Sequence, residues 1–146
     1  MAAHHCRISQ AAATAACNSI VDLIDAGTPP GNIIIYTGSE PANANAAAAT
    51  VVATCVLAAP AAYAGASFVT TSSDAALTST ATDASATGHA NAVTHFRICN
   101  AAGTCVLQGT CSASAGDDLV LNSAIIAAGS QVDITALTVS VPINQA

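Results

Sequence analysis

The stretch Ala92-Val-Thr-His-Phe-Arg-Ile-Cys99-Asn-Ala-Ala-Gly103-Thr-Cys-Val-Leu-Gln108 decides the fold. Its first half alternates, with Val93, His95, Arg97 and Cys99 on one face and Thr94, Phe96 and Ile98 on the other, the two-residue period of a β-strand. Asn100-Ala101-Ala102-Gly103 then turns the chain, since a type I turn closed by Gly in the left-handed region is a common hairpin device. Thr104 to Gln108 returns as the second strand. With Asn100 and Thr104 closing the turn, Cys99 falls opposite Cys105, within the Cα separation a disulfide needs. The spacing predicts an intrachain Cys99–Cys105 bond.

Working outward toward the C-terminus, Asp118 to Leu121 reads as a short strand, Asn122-Ser123 as a turn, and Ser130 to Val141 as a final strand carrying Val132, Ile134, Leu137, Val139 and Val141. Pro142 ends it. Toward the N-terminus, Asn32 to Thr37 is a β-branched and aromatic run between Gly31 and Gly38, predicting a buried strand. Ser39 to Asn45 reads as a loop, and a second strand spans Thr50 to Leu57 and stops near Pro60. Between Ala61 and Asn91 the chain is mostly Ala, Ser, Thr and Gly with single large residues at Tyr63, Phe68, Val69 and Leu77, which predicts exposed or edge β-structure. No fixed repeat period runs through it, so a solenoid is not expected.

From Ser9 to Ala26 the residues Ala13, Ala16, Cys17, Ile20, Val21, Leu23 and Ile24 recur at three- and four-residue steps, the stripe of a helix. Ser9 serves as its N-cap, and Gly27 before Pro29-Pro30 as its stop. The expected chain is therefore an arm (residues 1–8) and one domain (9–146) with a helix over 9–26 and a β body over 32–142. Its fold class is mainly β, a β-sandwich or jelly-roll-like body of about seven short strands with one N-terminal helix.

Composition narrows function. Roughly a quarter of the 146 residues are Ala, 7% are charged and 3% aromatic, so the core is built from small side chains. The only cations are Arg7 and Arg97, against eight acids and a net charge of -6, which leaves no basic stripe for nucleic acid or an anionic membrane. No stretch reaches the roughly 18 to 20 strongly apolar residues of a membrane span, Ala46 to Ala62 being the longest candidate. The opening MAAHHCRISQ lacks the basic and apolar regions of a secretory signal.

Six cysteines without such a signal call for a particle made in the cytoplasm and used outside it. Cys99, Cys105 and Cys111 are spaced too widely for the pairs of a structural zinc site. Cys17 lies on the helix stripe and Cys55 in a strand, where each reads as a small buried hydrophobe. Cys6, in the arm, suits a crosslink between subunits, and Cys6, Cys17, Cys55 and Cys111 stay open as intrachain or intersubunit disulfide partners. His4-His5-Cys6 has no nearby acid to complete a metal site. His89 and His95 read as surface or edge-strand residues, and Asp117-Asp118 as turn chemistry before a strand. With no nucleophile motif, no phosphate-binding Gly loop and no calcium-loop ligand series, neither an enzyme nor a metal or other cofactor is expected.

Three segments carry a resemblance. The strand and loop "IxIYTGxxPANA" is matched at Ile33, Ile35, Tyr36, Thr37, Gly38, Pro41, Ala42, Asn43 and Ala44. The hairpin "FRIxNxxGTxVLxGT" is matched at Phe96, Arg97, Ile98, Asn100, Gly103, Thr104, Val106 and Gly109. The ending "GxDLxLNxxxIxAGxxVxITxLTVxxP" is matched from Gly116, Asp118 and Leu119 through Ala128, Gly129 and Val132 to Val139 and Pro142. With the Ala/Thr-rich filler between them, the chain from about Ile8 onward resembles a family of small structural proteins of tailed bacteriophages. The resemblance implies a capsid decoration (cement) protein on the virion surface, partnered by the major capsid protein and by neighbouring copies, with monomer and trimer both open. A tail or fibre module of the same virion is the alternative. The cysteines stand where that family has Val, Leu or Ala, which implies added crosslinking.

Overall fold

The run Asn32–Thr37 sits mid-sheet, where β-branched and aromatic side chains fit a pleated surface covered on both faces. The structure, a computed structural model, describes residues 8–26, 30–47, 49–58, 69–72 and 75–141, with backbone alone for 69–72 and 75–78. Helix α1 (Gln10–Ile24) precedes β1 (Asn32–Thr37), β2 (Thr50–Leu57), β3 (Val69–Ser72), β4 (Ala75–Asp83), β5 (Val93–Cys99), β6 (Cys105–Ser112), β7 (Leu119–Val120) and β8 (Val132–Val141). The strands form one curled sheet in the order β3-β4-β2-β1-β5-β6-β7, with β8 paired to β4. All pairings are antiparallel except β6 with β7. The expected mainly-β body with one N-terminal helix is what the chain forms.

Curling brings β8 to face β5 and β6 across a core of Ile33, Ile35, Cys55, Leu57, Phe96, Ile98, Ile134 and Val139. Burying one such aliphatic side chain is worth about 1.5–3 kcal/mol. Helix α1 closes this core against β4, β6 and β8. It turns Ala13, Cys17, Val21 and Ile24 inward, a stripe at helical spacing. Ser9 caps it as expected, its hydroxyl accepting from the Ala12 amide at 3.2 Å, and the helix ends at Ile24 with Asp25 as C-cap. The Gly27 stop and Pro29 lie outside the described residues, as do the arm with His4, His5 and Cys6, residues Pro60, Tyr63 and Phe68, and Pro142.

The Ala61–Asn91 region departs from its expected edge position, because β4 runs inside the sheet. It pairs with β8 on one side and with β3 and then β2 on the other. Ser79 and Ala81 are buried there. Small side chains let a strand pass through a packed layer while giving no large-apolar alternation to announce it. The turn after β4 requires Gly88, which has φ +69°, and a Cβ there would stand 2.2 Å from the Ala128 nitrogen.

Candidate functional site

Strands β1 and β5 are buried on both faces for different reasons. Ile33, Ile35, Phe96 and Ile98 face the inner core, while register pairs Tyr36 with His95, Ile34 with Arg97 and Asn32 with Cys99 on the outer face. That outer face is covered by the 38–47 loop. Thr37 Oγ1 donates to the Ala92 carbonyl at 2.6 Å and Thr94 Oγ1 to the Gly38 carbonyl at 2.6 Å, fixing where the loop departs.

The turn of the β5–β6 hairpin forms as expected. Asn100 Oδ1 accepts from the Ala102 and Thr104 amides, the Gly103 amide donates to the Asn100 carbonyl, and Gly103 has φ +80°. Cys99 and Cys105 are register partners, but the expected disulfide is absent. Both cysteines are free thiols, and the Cys105 thiol donates to the Leu107 carbonyl at 3.2 Å. Burial, then the neighbouring Cys105, pushes the Cys99 thiol up to about 11, and burial raises that of Cys105 as well, so both stay protonated at neutral pH.

Past this pair the register shifts by one residue. Arg97 therefore faces Gln108 and Ile98 faces Leu107, with Val106 taken up in a bulge. The shift assembles a polar network. Arg97 Nε donates to Gln108 Oε1 at 3.1 Å, while Gln108 Nε2 donates to Glu40 Oε1 at 3.1 Å and to the Pro41 carbonyl at 2.7 Å. An Arg97 terminal nitrogen reaches the Asn43 carbonyl at 3.4 Å. The Gln108 amide thus bridges Arg97, the only described Lys or Arg, to the Glu40 carboxylate. Beside it, Arg97, Asn45, Thr104 and Cys105 line an open cavity of about 300 Å³.

His95 is fully buried, not a surface or edge residue, because β5 has a neighbour on each side and the 38–47 loop starts above it. Its ring stacks on Tyr36 with centroids 5.1 Å apart and planes 6° from parallel. The Thr94 hydroxyl spends its proton on Gly38, so its oxygen accepts from His95 Nδ1–H at 2.9 Å. That assigns the tautomer and leaves Nε2 buried as an acceptor with no donor among the described residues. Desolvation pushes the imidazole below its usual pKa, since a proton on Nε2 would be buried without an acceptor.

The other cysteines do not join this group. Cys17 and Cys55 are buried in the core, as their positions predict, and their thiols donate to the Val139 and Val132 carbonyls of β8 at 3.4 and 3.8 Å. Cys111 is buried too, and burial pushes Cys55 and Cys111 up to about 12. Cys6 lies outside the described residues. Asp118 holds the Thr110 amide and hydroxyl at 2.9 and 3.0 Å, and Asp117 accepts from Ser112, so the acidic pair ties the segment before β7 to β6.

Among the described residues no group of three or more His, Cys, Asp or Glu side chains is placed to hold a metal ion. No described helix is long and apolar enough to cross a membrane. Compared with protein-family models, with curated proteins and with solved structures, the chain gives no match. The Arg97–Gln108–Glu40 network and the burial of His95 were missed in sequence. The alternation put His95 and Arg97 on one face, but neither the bulge that selects Gln108 nor the loop that covers them has a local signal.

Proposed function

We propose that the chain is a structural virion protein, a capsid decoration protein that binds the major capsid shell and stabilises it, without enzymatic activity or a cofactor. The observation that carries this reading is where its resemblance segments meet. The strand-and-loop segment and the hairpin interlock through Arg97, Gln108, Asn43 and Pro41. The ending segment joins the hairpin where Asp118 packs on Gly109 and holds the Thr110 amide and hydroxyl. The shared wording is thus the wording of a packed body, as expected where rigidity and surface fit are the selected properties.

Such a protein works by mass action. Each copy that binds only the assembled shell stabilises it by RT ln(1 + [L]/Kd), and neighbouring copies add multivalency. Cysteine crosslinks formed after release from the reducing host would make the attachment durable. Its place of action on this reading is the capsid surface, reached after synthesis in the host cytoplasm.

The test is mass spectrometry and electron cryomicroscopy of gradient-purified particles from the host that encodes the chain, with reducing and non-reducing gels of the same particles. The expected result is stoichiometric copies on the outer shell, with any higher multimers collapsing on reduction. Copies confined to the tail would transfer the assignment to a tail or fibre module. Absence from particles would overturn it.

A further inference from the structure

The cavity between the 38–47 loop and the β5–β6 turn holds one charged group. Arg97 is 5% exposed, and its bonds to described residues are the two to Gln108 and Asn43. A guanidinium has five N–H donors, so three remain unspent at the cavity wall. No described carboxylate pairs with it, since Glu40, the nearest acid of the network, is bonded to Gln108 instead. Those unspent donors face an open cavity, where an anion with two oxygens can take them in place of water.

The cavity suits such an anion. Its walls are the small residues Ala44, Ala46 and Gly103, with Thr104 and Asn45 as further polar residues. At about 300 Å³ it holds an oxyanion with several waters, each water occupying about 30 Å³ of liquid volume. Cys105, protonated at neutral pH, adds no competing negative charge. The net charge of -6 opposes anions at long range, so affinity has to come from the planar fork of the guanidinium, which matches two oxygens of one group.

We propose that this cavity is a small-oxyanion site anchored by Arg97. Its ligand presents two oxygens of a carboxylate or phosphate class to the guanidinium. The proposal does not depend on the virion reading.

The test is an NMR titration of the ¹⁵N-labelled full chain, replacing chloride at constant ionic strength by sodium acetate, sodium phosphate or N-acetyl-aspartate amide. Saturable shifts are expected for the amides of Asn45, Ala46, Gly103 and Thr104 and for Arg97 Nε–H. Saturation by phosphate alone identifies a free tetrahedral ion. Saturation by acetate and the aspartate derivative identifies a protein carboxylate. Ala46→Asp places a carboxylate in the cavity and should weaken the response to added anion at least tenfold, as should Arg97→Gln. Shifts that grow linearly with concentration, that scatter over the chain, or that persist in Ala46→Asp overturn the proposal. Because Ala46→Asp keeps the buried guanidinium, it decides the matter even if Arg97→Gln fails to fold.

Discussion

Oxidation of the Cys99–Cys105 pair should stabilise the fold without changing it. The two residues are already register partners across the hairpin, and both are free thiols. Reaction with oxidised glutathione removes two protons and two electrons from the pair and releases two molecules of reduced glutathione. The bond closes a ring of seven residues, 99 to 105. Loop-closure entropy for that length gives about 2.4 kcal/mol at 25 °C. With an unfolding entropy of about 2.1 cal/mol/K per residue, that corresponds to a rise in Tm of about 8 °C. Both thiols titrate above their usual range, so the rate of attack should increase about tenfold per pH unit between pH 7 and 8.5. The assay is incubation at pH 8.5, peptide mapping for the 99–105 crosslink, and thermal unfolding by circular dichroism with and without reductant. Cys105→Ser should show no oxidant-dependent change. A mapped bond with an unchanged or lowered Tm would refute the claim that this register is already suited to a disulfide.

Four further outcomes are expected. Because the folded His95 pKa lies below the unfolded value of about 6.5, the unfolded chain binds more protons in acid. The His95 contribution is therefore complete above pH 6.5 and declines by up to about 1.4 kcal/mol per pH unit as pH falls toward the folded value. Urea unfolding of the protein and of His95→Phe from pH 5 to 8 should differ by this slope. Gly88→Ala should cost more than about 3 kcal/mol, since it adds a steric conflict to a left-handed φ, whereas Gly103→Ala, with open space around it, should cost about 1 kcal/mol in the same assay. Gln108→Leu should cost about 2–4 kcal/mol in urea unfolding, because it strands Arg97 Nε and releases Glu40 and the Pro41 carbonyl. Ile35→Ala, at a fully buried inner-face position, should cost about 2–5 kcal/mol by the same measurement.

Where the sequence was legible, the signal was local. Asn32–Thr37 and Thr50–Leu57 are strands to the residue, and the Ser9 cap and the Asn100–Gly103 turn form with the expected bonds, because capping and turn chemistry act over three or four residues. What escaped depended on distant partners. Strand β4 is interior because β8 returns beside it across some fifty residues of chain, and its small side chains give no hint of that neighbour. His95 is buried by a loop that starts at Gly38, and Gln108 meets Arg97 only because Val106 drops out of register. The candidate site was thus half visible: its strand face was in the alternation, its cover and its bridging amide were not.

The position of β8 has a dynamic consequence. Among the described strands it has one ladder partner, β4, reinforced by the Thr82 hydroxyl on Asp133, and it is further tied by core side chains and the Cys17 and Cys55 thiols. Strands β1 and β5, flanked on both sides, can exchange their amides only when the whole sheet opens. Strand β8 can detach by breaking a single ladder, and the helix loses one of the strands it packs on in the same event. Amide exchange should accordingly divide the molecule into a slow centre and a faster unit made of the first and last described elements, which open together although more than a hundred residues separate them in the chain.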